Sequence, residues 1–241
     1  MIKPTALIIG ASSGIGLELT RQLAVQGYRL GIAARRKNLL DDAAATLPQV
    51  TCVRAMDLTQ PDEARKIFSG MLAELGTVDF IYLNAGTGYQ NPDLRWDWED
   101  ETIRVNVLGF AALATVAWEY CVKQGHGHII GISSVAAVRG SRIAPAYGAS
   151  KAFDSNLLEA FRFRAHRSKL PIYVTEIRPG FVNTAMAKAD KRFWVAPVDV
   201  AVRQIIVSVN KRKPIAYVTR RWRLIAFLMR WMPGRILAKL A

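Results

Sequence analysis

A phenol, an amine and a hydroxyl are spaced in this sequence so that they could transfer protons at one place. Tyr147 and Lys151 are four residues apart, so on a helix they lie on the same face, one turn from each other. An adjacent ammonium favours the phenolate form of a tyrosine, which makes the pair a usable proton donor and acceptor. Ser134 lies thirteen residues before Tyr147 and follows the apolar run 129–132. We expect a buried strand there, with Ser134 at its end, where function sits in open α/β sheets.

A glycine loop near the amino terminus predicts a dinucleotide site. The apolar run 6–9 leads into Gly10-Ala-Ser-Ser-Gly14-Ile-Gly16, and a helical pattern of leucines follows. Glycines let the backbone turn tightly and approach a pyrophosphate, whose charge is favoured at the first turn of a helix. A Tyr-x-x-x-Lys pair by itself more often marks a solvated helix face, so this loop is the independent feature that favours catalysis.

The residues after the second apolar run indicate which dinucleotide is preferred. Run 29–34 ends in Arg35 and Arg36, about twenty residues after the glycine loop. An acidic residue there would accept hydrogen bonds from a free ribose 2′-hydroxyl, whereas arginine offers a fork for a 2′-phosphate. We therefore expect NADP(H) to be preferred over NAD(H); the alternative is that these are solvated loop arginines.

Two further apolar runs deliver polar residues to the same edge of the predicted sheet. Run 50–56 ends at Asp57 and Leu58, which we expect at the adenine edge, and run 78–83 ends at Asn84-Ala85-Gly86, which we expect beside the cofactor. Buried strands that alternate with helices predict a parallel, doubly wound α/β sheet of the Rossmann type, with helices on both faces.

These motifs together resemble the short-chain dehydrogenase/reductase family in its compact Tyr-x-x-x-Lys branch. The resemblance extends over roughly residues 5–210 and adds three elements: Asn106 within Val105-Asn-Val-Leu-Gly109, the turn Pro179-Gly180, and Thr184. It implies a three-layer fold with about seven strands and a nicotinamide cofactor. The cofactor-binding residues it implies, together with those above, are Gly10, Ser12, Ser13, Gly14, Ile15, Gly16, Arg35, Arg36, Asp57, Leu58, Asn84, Ala85, Gly86, Tyr147, Lys151, Pro179, Gly180, Val182 and Thr184.

The resemblance also implies a role for each catalytic residue. Tyr147 is the general acid/base, Ser134 orients the substrate oxygen, and Lys151 favours the phenolate and bonds the nicotinamide ribose. Asn106 holds a water that links Lys151 to solvent. Ser133 is adjacent, but thirteen residues to the tyrosine is the usual interval of the family and selects Ser134. The implied reaction is reversible hydride transfer between the cofactor and a carbonyl or secondary alcohol. Segment 185–196, with Phe193 and Trp194, corresponds to the flap over the substrate.

Composition limits the organisation of the chain. With 241 residues, 51% of them hydrophobic, we expect one catalytic domain over residues 1–210, followed by a tail over 211–241. Two cysteines fit no metal or disulfide pattern, which favours a reducing, cytoplasmic compartment. His126 and His128 precede a strand, and we expect a turn there and no metal site. Trp96 and Trp98 begin a predicted helix or line a substrate entrance, and the sequence leaves both open.

The tail carries most of the excess positive charge. The formal net charge is +14, and residues 200–241 contain ten lysines and arginines and no acid. On a helical wheel Arg223, Ala226 and Arg230 share one face and Leu224, Phe227, Leu228 and Trp231 the other, before Pro233-Gly234. This pattern is typical of a helix at an anionic membrane surface. The favoured alternative is that the apolar face packs on the domain's own core, over the pocket or in a subunit contact.

The function that these residues predict is that of an NADP-dependent reductase of a hydrophobic, lipid-like carbonyl compound. The family's usual pairing of subunits through residues 101–123 and 147–168 implies a homodimer or homotetramer. No run is long enough to predict a transmembrane helix, so we expect at most peripheral contact at the inner face of a membrane. A silent nucleotide-binding scaffold would show a damaged Ser, Tyr or Lys, and no nucleic-acid recognition motif accompanies the basic charge.

Overall fold

A parallel sheet of seven strands lies at the centre of the molecule. The computed structural model describes residues 3–186 and 193–236. The strand order is β3-β2-β1-β4-β5-β6-β7, and all neighbouring pairs are parallel, as the sequence predicts for a doubly wound α/β fold. The strands are β1 Thr5–Ile9, β2 Arg29–Ala34, β3 Val50–Ala55, β4 Phe80–Leu83, β5 Gly127–Ile132, β6 Ile172–Pro179 and β7 Ile215–Val218.

Helices cover both faces of the sheet and complete the three layers. One apolar core lies between the sheet and α3, α5 and α6, and the other between the sheet and α1, α2 and α7. A π-helical segment, Arg104–Gly109, joins α4 to α5. The α-helices are α1 Gly14–Val25, α2 Lys37–Thr46, α3 Pro61–Leu75, α4 Trp96–Ile103, α5 Phe110–Gln124, α6 Pro145–Ser168, α7 Val198–Asn210 and α8 Trp222–Trp231.

The carboxyl ends of β1 and β4 form the point where the strand order reverses. Ile9 at the end of β1 is paired with Leu83 at the end of β4. The chain leaves β1 towards β2 on one side and returns from β3 to β4 on the other, so their following loops diverge and leave a crevice. In open α/β sheets this crevice is the usual ligand site.

Helix α6 packs closely against the sheet because β5 has a glycine, Gly131, at the contact. Pro145 is at the first position of α6, where the lost N–H has no intrahelical acceptor in any case. A Cβ added to Gly131 of β5 would lie 2.4 Å from Cδ1 of Leu158, so only glycine lets α6 approach β5 this closely. This contact fixes the position of the Tyr147 and Lys151 side chains, which lie earlier on the same helix.

The tail adds a strand and an amphipathic helix to the domain. Strand β7 lies beyond the predicted boundary at residue 210 and pairs with β6 along the edge of the sheet. Helix α8 buries Trp222 and Ala226. The interpretation that the apolar face of α8 packs on the domain's own core is wrong, because the domain covers the face with Trp222 and Ala226 and leaves the apolar face exposed. The side chains left exposed are Leu224, Phe227, Leu228 and Trp231.

One helical stretch in the described part of the chain has the length and apolar composition needed to span a bilayer. It covers residues 96–124, and half of its most apolar window is buried. Its inward-facing side chains, among them Phe110, Leu113 and Cys121, belong to the apolar core shared with α3 and α6. The stretch therefore serves as a core helix of this domain.

The two histidines near β5 have ordinary structural surroundings. The ring of His128 is buried in β5, where its Nε2 lies 2.8 Å from Oγ1 of Thr175. His126 Nε2 lies 3.7 Å from a carboxylate oxygen of Asp79. Among the described residues, no three His, Cys, Asp or Glu side chains cluster as a metal would require.

Burial of His128 makes the fold sensitive to acid. Burial, with a smaller effect of the Arg212 charge, lowers the pKa of His128 from 6.5 to about 4. Between these values the unfolded chain binds a proton that the folded chain does not, so stability falls as the pH falls from 6.5 towards 4. We expect His128 to account for a loss of about 2 kcal/mol between pH 7.5 and 5. Urea unfolding at the two pH values measures it.

The variant His128→Phe keeps a ring between Phe80 and Tyr173 and removes the titration, so it should lose this part of the pH dependence. His166→Gln, at an exposed position of α6, is the matched control and should retain the wild-type slope. An unchanged slope in His128→Phe would contradict the assignment.

Candidate active site

The glycine loop after β1 is packed directly against the loop after β4. Gly10 has φ +85°, and a Cβ there would lie 2.6 Å from Cα of Ala85. A Cβ at Gly16 would lie 2.1 Å from the carbonyl oxygen of Gly10. Nδ2 of Asn84 donates to that same oxygen at 3.0 Å. The structure thus brings the predicted cofactor residues of the two strand ends together, and glycine is required at the contacts.

The first turn of α1 is open towards this loop. Ser13 is the N-cap residue, and its side chain makes no capping hydrogen bond. On the other side, a Cβ at Gly14 would lie 3.2 Å from Cγ2 of Thr184, which places the segment after β6 over the loop. Backbone amides at a helix start, with space left by glycines and no side-chain acceptor occupying them, suit a diphosphate group. The residues present therefore fit a dinucleotide.

The two arginines after β2 point to different partners. Nη2 of Arg36 donates to Oγ of Ser12 at 3.1 Å and to Oγ of Ser13 at 2.9 Å, so its guanidinium lies on the glycine loop. Arg35 instead forms an exposed ion pair with Glu101 at 3.1 Å. Of the two residues predicted at the ribose, Arg36 is the one already joined to the glycine loop.

Asp57 and Leu58 follow β3 as predicted. Oδ1 of Asp57 accepts hydrogen bonds from both the backbone N–H and the hydroxyl of Thr59, each at 2.9 Å. Leu58 is buried, and a Cβ on Gly109 would lie 2.7 Å from its Cβ. The loop after β3 is therefore held against the π-helical segment on the cofactor side of the sheet.

Asn106 joins that segment to the loop after β4 and to α6. Its buried amide exchanges two hydrogen bonds with the backbone of Thr87, at 2.8 and 2.7 Å, and Nδ2 donates to Oγ of Ser150 at 3.0 Å. A Cβ at Gly86 would lie 3.3 Å from Oδ1 of Asn106 and 3.4 Å from Nζ of Lys151. The space above Gly86 is therefore bounded by both residues.

The serine at the end of β5 is distinguished from its neighbour by its hydrogen bonds. Ser133 Oγ donates to the carbonyl of Lys151 at 3.0 Å and so ties β5 to α6. Ser134 Oγ accepts from the backbone N–H of Ala136 at 3.1 Å, which leaves its own hydroxyl hydrogen to be directed elsewhere. This agrees with the choice of Ser134 over Ser133.

Tyr147 lies at the start of α6, with its ring against the loop after β4. A Cβ at Gly88 would lie 2.4 Å from Cδ2 of the ring, so this loop also requires glycine where it passes the phenol. The side chain is half-buried, and it interacts electrostatically with Lys151. The phenol and the amine therefore flank the same loop.

Lys151 is almost fully buried and remains charged. Its Nζ donates to Oδ2 of Asp154 at 2.9 Å and to the carbonyl oxygen of Ile132 at 3.1 Å. Burial opposes the charge, but the carboxylate of Asp154 and the negative form of Tyr147 outweigh it, so the pKa of Lys151 is raised. Asp154 is a functional-site neighbour that the sequence reasoning missed; its only signal is an acid three residues after the lysine on a buried face.

The turn after β6 carries an aromatic cluster, which we define as Phe181, Phe193, Trp194 and Trp222. Trp222 of α8 is its centre, with ring centroids 5.5, 5.0 and 6.2 Å from those of Phe181, Phe193 and Trp194. A Cβ at Gly180 would lie 2.1 Å from the Trp222 ring. Sequence reasoning found Phe193 and Trp194 and missed Trp222. Val182, also predicted here, is buried, whereas Lys191 and Arg192 of the predicted flap lie outside the described residues.

The tryptophans before the π-helical segment differ in their surroundings. Trp98 stacks on Tyr89 with ring centroids 5.3 Å apart, and the guanidinium of Arg95 lies over its other side at 4.4 Å. Trp96 begins α4 and is exposed. Through the contact with Tyr89, Trp98 holds α4 against the loop after β4, which is the loop that the Tyr147 ring contacts.

Comparison with known proteins agrees with this architecture. A family model described as short chain dehydrogenase matches residues 4–193. An uncharacterized oxidoreductase of Mycobacterium tuberculosis (strain H37Rv) is 30% identical over 246 residues, covering 98% of this chain and 96% of the relative.

Solved structures show the same fold. A short-chain dehydrogenase of Sphingobium yanoikuyae in complex with NADPH has a TM-score of 0.80 and 28% identity, covering 96% of this chain and 97% of that one. A short-chain dehydrogenase/reductase of Burkholderia phymatum in complex with NAD has a TM-score of 0.83 and 18% identity, covering 94% and 92%. The chain described here belongs to the short-chain dehydrogenase/reductase family and is a nicotinamide-dependent oxidoreductase.

Proposed function

We propose that this protein is an NADP(H)-dependent reductase of hydrophobic carbonyl compounds, with Tyr147 as its proton donor. The observation that carries the proposal is the meeting of α6 with the loop after β4. Lys151 and Asn106 bound the space at Gly86, and the Tyr147 ring lies against Gly88 two residues later. A proton donor and a cation beside one cofactor-side loop are the parts that carbonyl reduction requires.

Each side chain has a separate task in the proposed mechanism. A bound reduced nicotinamide supplies hydride to the carbonyl carbon. Tyr147 gives its phenolic proton to the substrate oxygen as negative charge develops there, and Lys151 stabilises the resulting phenolate. Ser134 donates its free hydroxyl hydrogen to the same oxygen and orients it. Asn106 holds the loop of Thr87 in place. We propose that it also holds a water that links Lys151 to solvent.

The variant Tyr147→Phe tests the proton donor. We expect turnover to fall by at least a thousandfold, because the phenolic proton is lost and the hydroxyl of Ser134 is too weak an acid to replace it. The affinity for NADPH should change less than about threefold, since the ring remains. Consumption of NADPH with a panel of ketones, from sugars to steroids and lipid-linked compounds, measures turnover, and quenching of tryptophan fluorescence measures binding.

Tyr173→Phe is the matched control, since it deletes the same atom from a tyrosine that contacts Arg212 at the surface. It should turn over normally. Normal turnover in Tyr147→Phe would refute the assignment, and binding of NADPH without turnover in the wild type would favour a silent scaffold.

The proposed preference for NADP(H) rests on Arg36 more than on Arg35. Arg36 is held on the glycine loop by Ser12 and Ser13, where a fixed guanidinium can form two charge-assisted hydrogen bonds to a 2′-phosphate. Arg35 has Glu101 as its partner, which reduces the positive charge available there.

Replacing Arg36 by Ala should therefore weaken NADPH binding by at least tenfold and leave NADH binding within about threefold. Arg35→Ala is the matched control and should have the smaller effect. Fluorescence titration of the wild type and both variants with NADPH and NADH gives the six dissociation constants. Equal affinities of the wild-type protein for NADPH and NADH would remove this part of the proposal.

The aromatic cluster supports a hydrophobic substrate. Phe181, after β6, and Phe193 and Trp194, in the predicted flap, form edge and tilted contacts with one another and with Trp222 of α8. Phe193 and Trp194 remain 49% and 40% exposed, so their rings offer apolar surface and few hydrogen bonds to a ligand. We therefore propose a ketone or a lipid-like carbonyl compound in place of a sugar.

We further propose a cytoplasmic homodimer or homotetramer that contacts the inner face of a membrane through α8. The exposed side chains of α8 form a continuous apolar strip, with Leu224, Phe227 and Trp231 exposed by 59, 60 and 72%. On the helical wheel Arg223 and Arg230 share the face beside the strip. With no acid between residues 200 and 241, this surface complements anionic lipid headgroups.

Flotation with lipid vesicles tests the membrane contact. The wild type should float with vesicles that contain phosphatidylglycerol, float less in high salt, and stay unbound with phosphatidylcholine alone. The double variant Phe227→Ser/Trp231→Ser should lose flotation because it removes apolar contact without changing charge. Val25→Ser, at an exposed apolar residue that ends α1, is the control.

If the double variant floats as the wild type does, lipid contact through α8 is refuted. If it changes the oligomeric state measured by light scattering instead, a second copy of the chain covers the strip.

A further inference from the structure

Lys151 has a second charged partner one turn further along α6, whereas Tyr147 lies one turn before it. Tyr147 lies four residues before Lys151 on α6, and Asp154 lies three residues after it. The Nζ to Oδ2 distance is 2.9 Å, and the side chains of Lys151 and Asp154 are only 4% and 0% exposed. The catalytic-site ammonium is thus part of a buried ion pair that the proposed mechanism does not use.

The surroundings of Asp154 show that Lys151 is its main partner. Its second oxygen, Oδ1, has no hydrogen-bond partner among the described residues. The other charge that acts on it is Glu176 of β6, which is itself held by Arg178 at 2.7 Å and lies 3.9 Å from Arg162. A buried carboxylate with a single counter-ion is costly, so its presence beside Lys151 calls for a role.

We propose that Asp154 is a positioning residue, which holds the Lys151 ammonium beneath the cofactor crevice and offsets part of the charge that Tyr147 feels. The inference rests on the proposed role of Tyr147. An ammonium has three N–H donors. Within the described structure, Asp154 and the carbonyl of Ile132 take two of them and leave one to face the space at Gly86.

The effect of Asp154 on Tyr147 follows from the charge of Asp154 and its distance from the phenol. Burial raises the pKa of Asp154 to about 6, against the lowering effect of Lys151, so the carboxylate is ionised above that pH. Residues seven apart on a helix are roughly 10 Å apart along its axis. At an effective dielectric constant of about 20, one charge at that distance changes an ionisation equilibrium by about tenfold. The charge of Asp154 therefore acts against the charge of Lys151 at the phenol oxygen of Tyr147, which is the offset proposed.

The experiment measures the ionisation of Tyr147 directly in the full-length protein. Tyrosine labelled with carbon-13 at Cζ gives one resonance for each ring, and the variant Tyr147→Phe identifies the resonance of Tyr147. Titration from pH 6 to 11 should place the midpoint of Tyr147 in Asp154→Asn about one pH unit below that of the wild type. Glu159→Gln removes the same charge from an exposed position of α6 and should shift the midpoint by less than about 0.3 unit.

The remaining outcomes also decide the matter. Asp154→Glu restores the charge and should return the midpoint towards the wild-type value, which a purely structural role would not require. If Asp154→Asn does not fold, Asp154→Thr removes the same charge and should show the same shift. An unchanged midpoint in a folded, uncharged variant overturns the proposal. Because the titration needs no turnover, it still reports on Asp154 if the proposed reductase activity fails.

Discussion

The burial of one ammonium group, that of Lys151, is the interaction on which the rest of this site depends. An unpaired charge in a protein interior is strongly unfavourable, so Lys151 requires partners on every side that water cannot reach. It finds them at the end of β5, in the carbonyl of Ile132, and one turn further along α6, in Asp154. These partners fix the ammonium at the loop after β4. The positions of Asn106 and Tyr147 relative to it are then set by the same loop.

The second constraint on the site is that glycines, which have no side chain, stand where segments of main chain pass close to a helix or ring. Helix α6 reaches β5 because Gly131 leaves room for Leu158, and the loop after β4 passes Lys151 and Tyr147 because residues 86 and 88 are glycines. The glycine loop approaches Ala85 in the same way. Each contact brings a backbone closer to a helix or ring than any larger residue allows. The crevice is thus formed where main-chain segments approach closely at the strand ends. The side chains that remain there are those to which catalysis is assigned in the proposed mechanism.

The sequence predicted much of this because its signals are local. Strand β2 begins and ends where the apolar run 29–34 does, and the glycine motifs are visible since close approach leaves a trace in residue type. Sequence reasoning missed Asp154 because its role depends on which face of α6 is buried. It missed Trp222 because the partners of that ring are distant in sequence. For the same reason the sequence left open whether the apolar face of α8 packs on the core, over the pocket, in a subunit contact or on a membrane. A helical wheel shows that a face is apolar, but only packing shows that Trp222 and Ala226 occupy the inner side.

The packing of Trp222 connects the surface helix to the site. Its ring contacts Phe181, next to Gly180, and Nη2 of Arg139, in the loop after Ser134, donates to the carbonyl of Met232 at 3.1 Å. Helix α8 is therefore joined to the chain on both sides of the substrate region, after β5 and after β6. A membrane or second subunit that bound α8, as proposed, would therefore contact a helix that is joined to both of these segments. Any effect of such binding on the aromatic cluster would pass through Trp222, the side chain of α8 that lies at its centre.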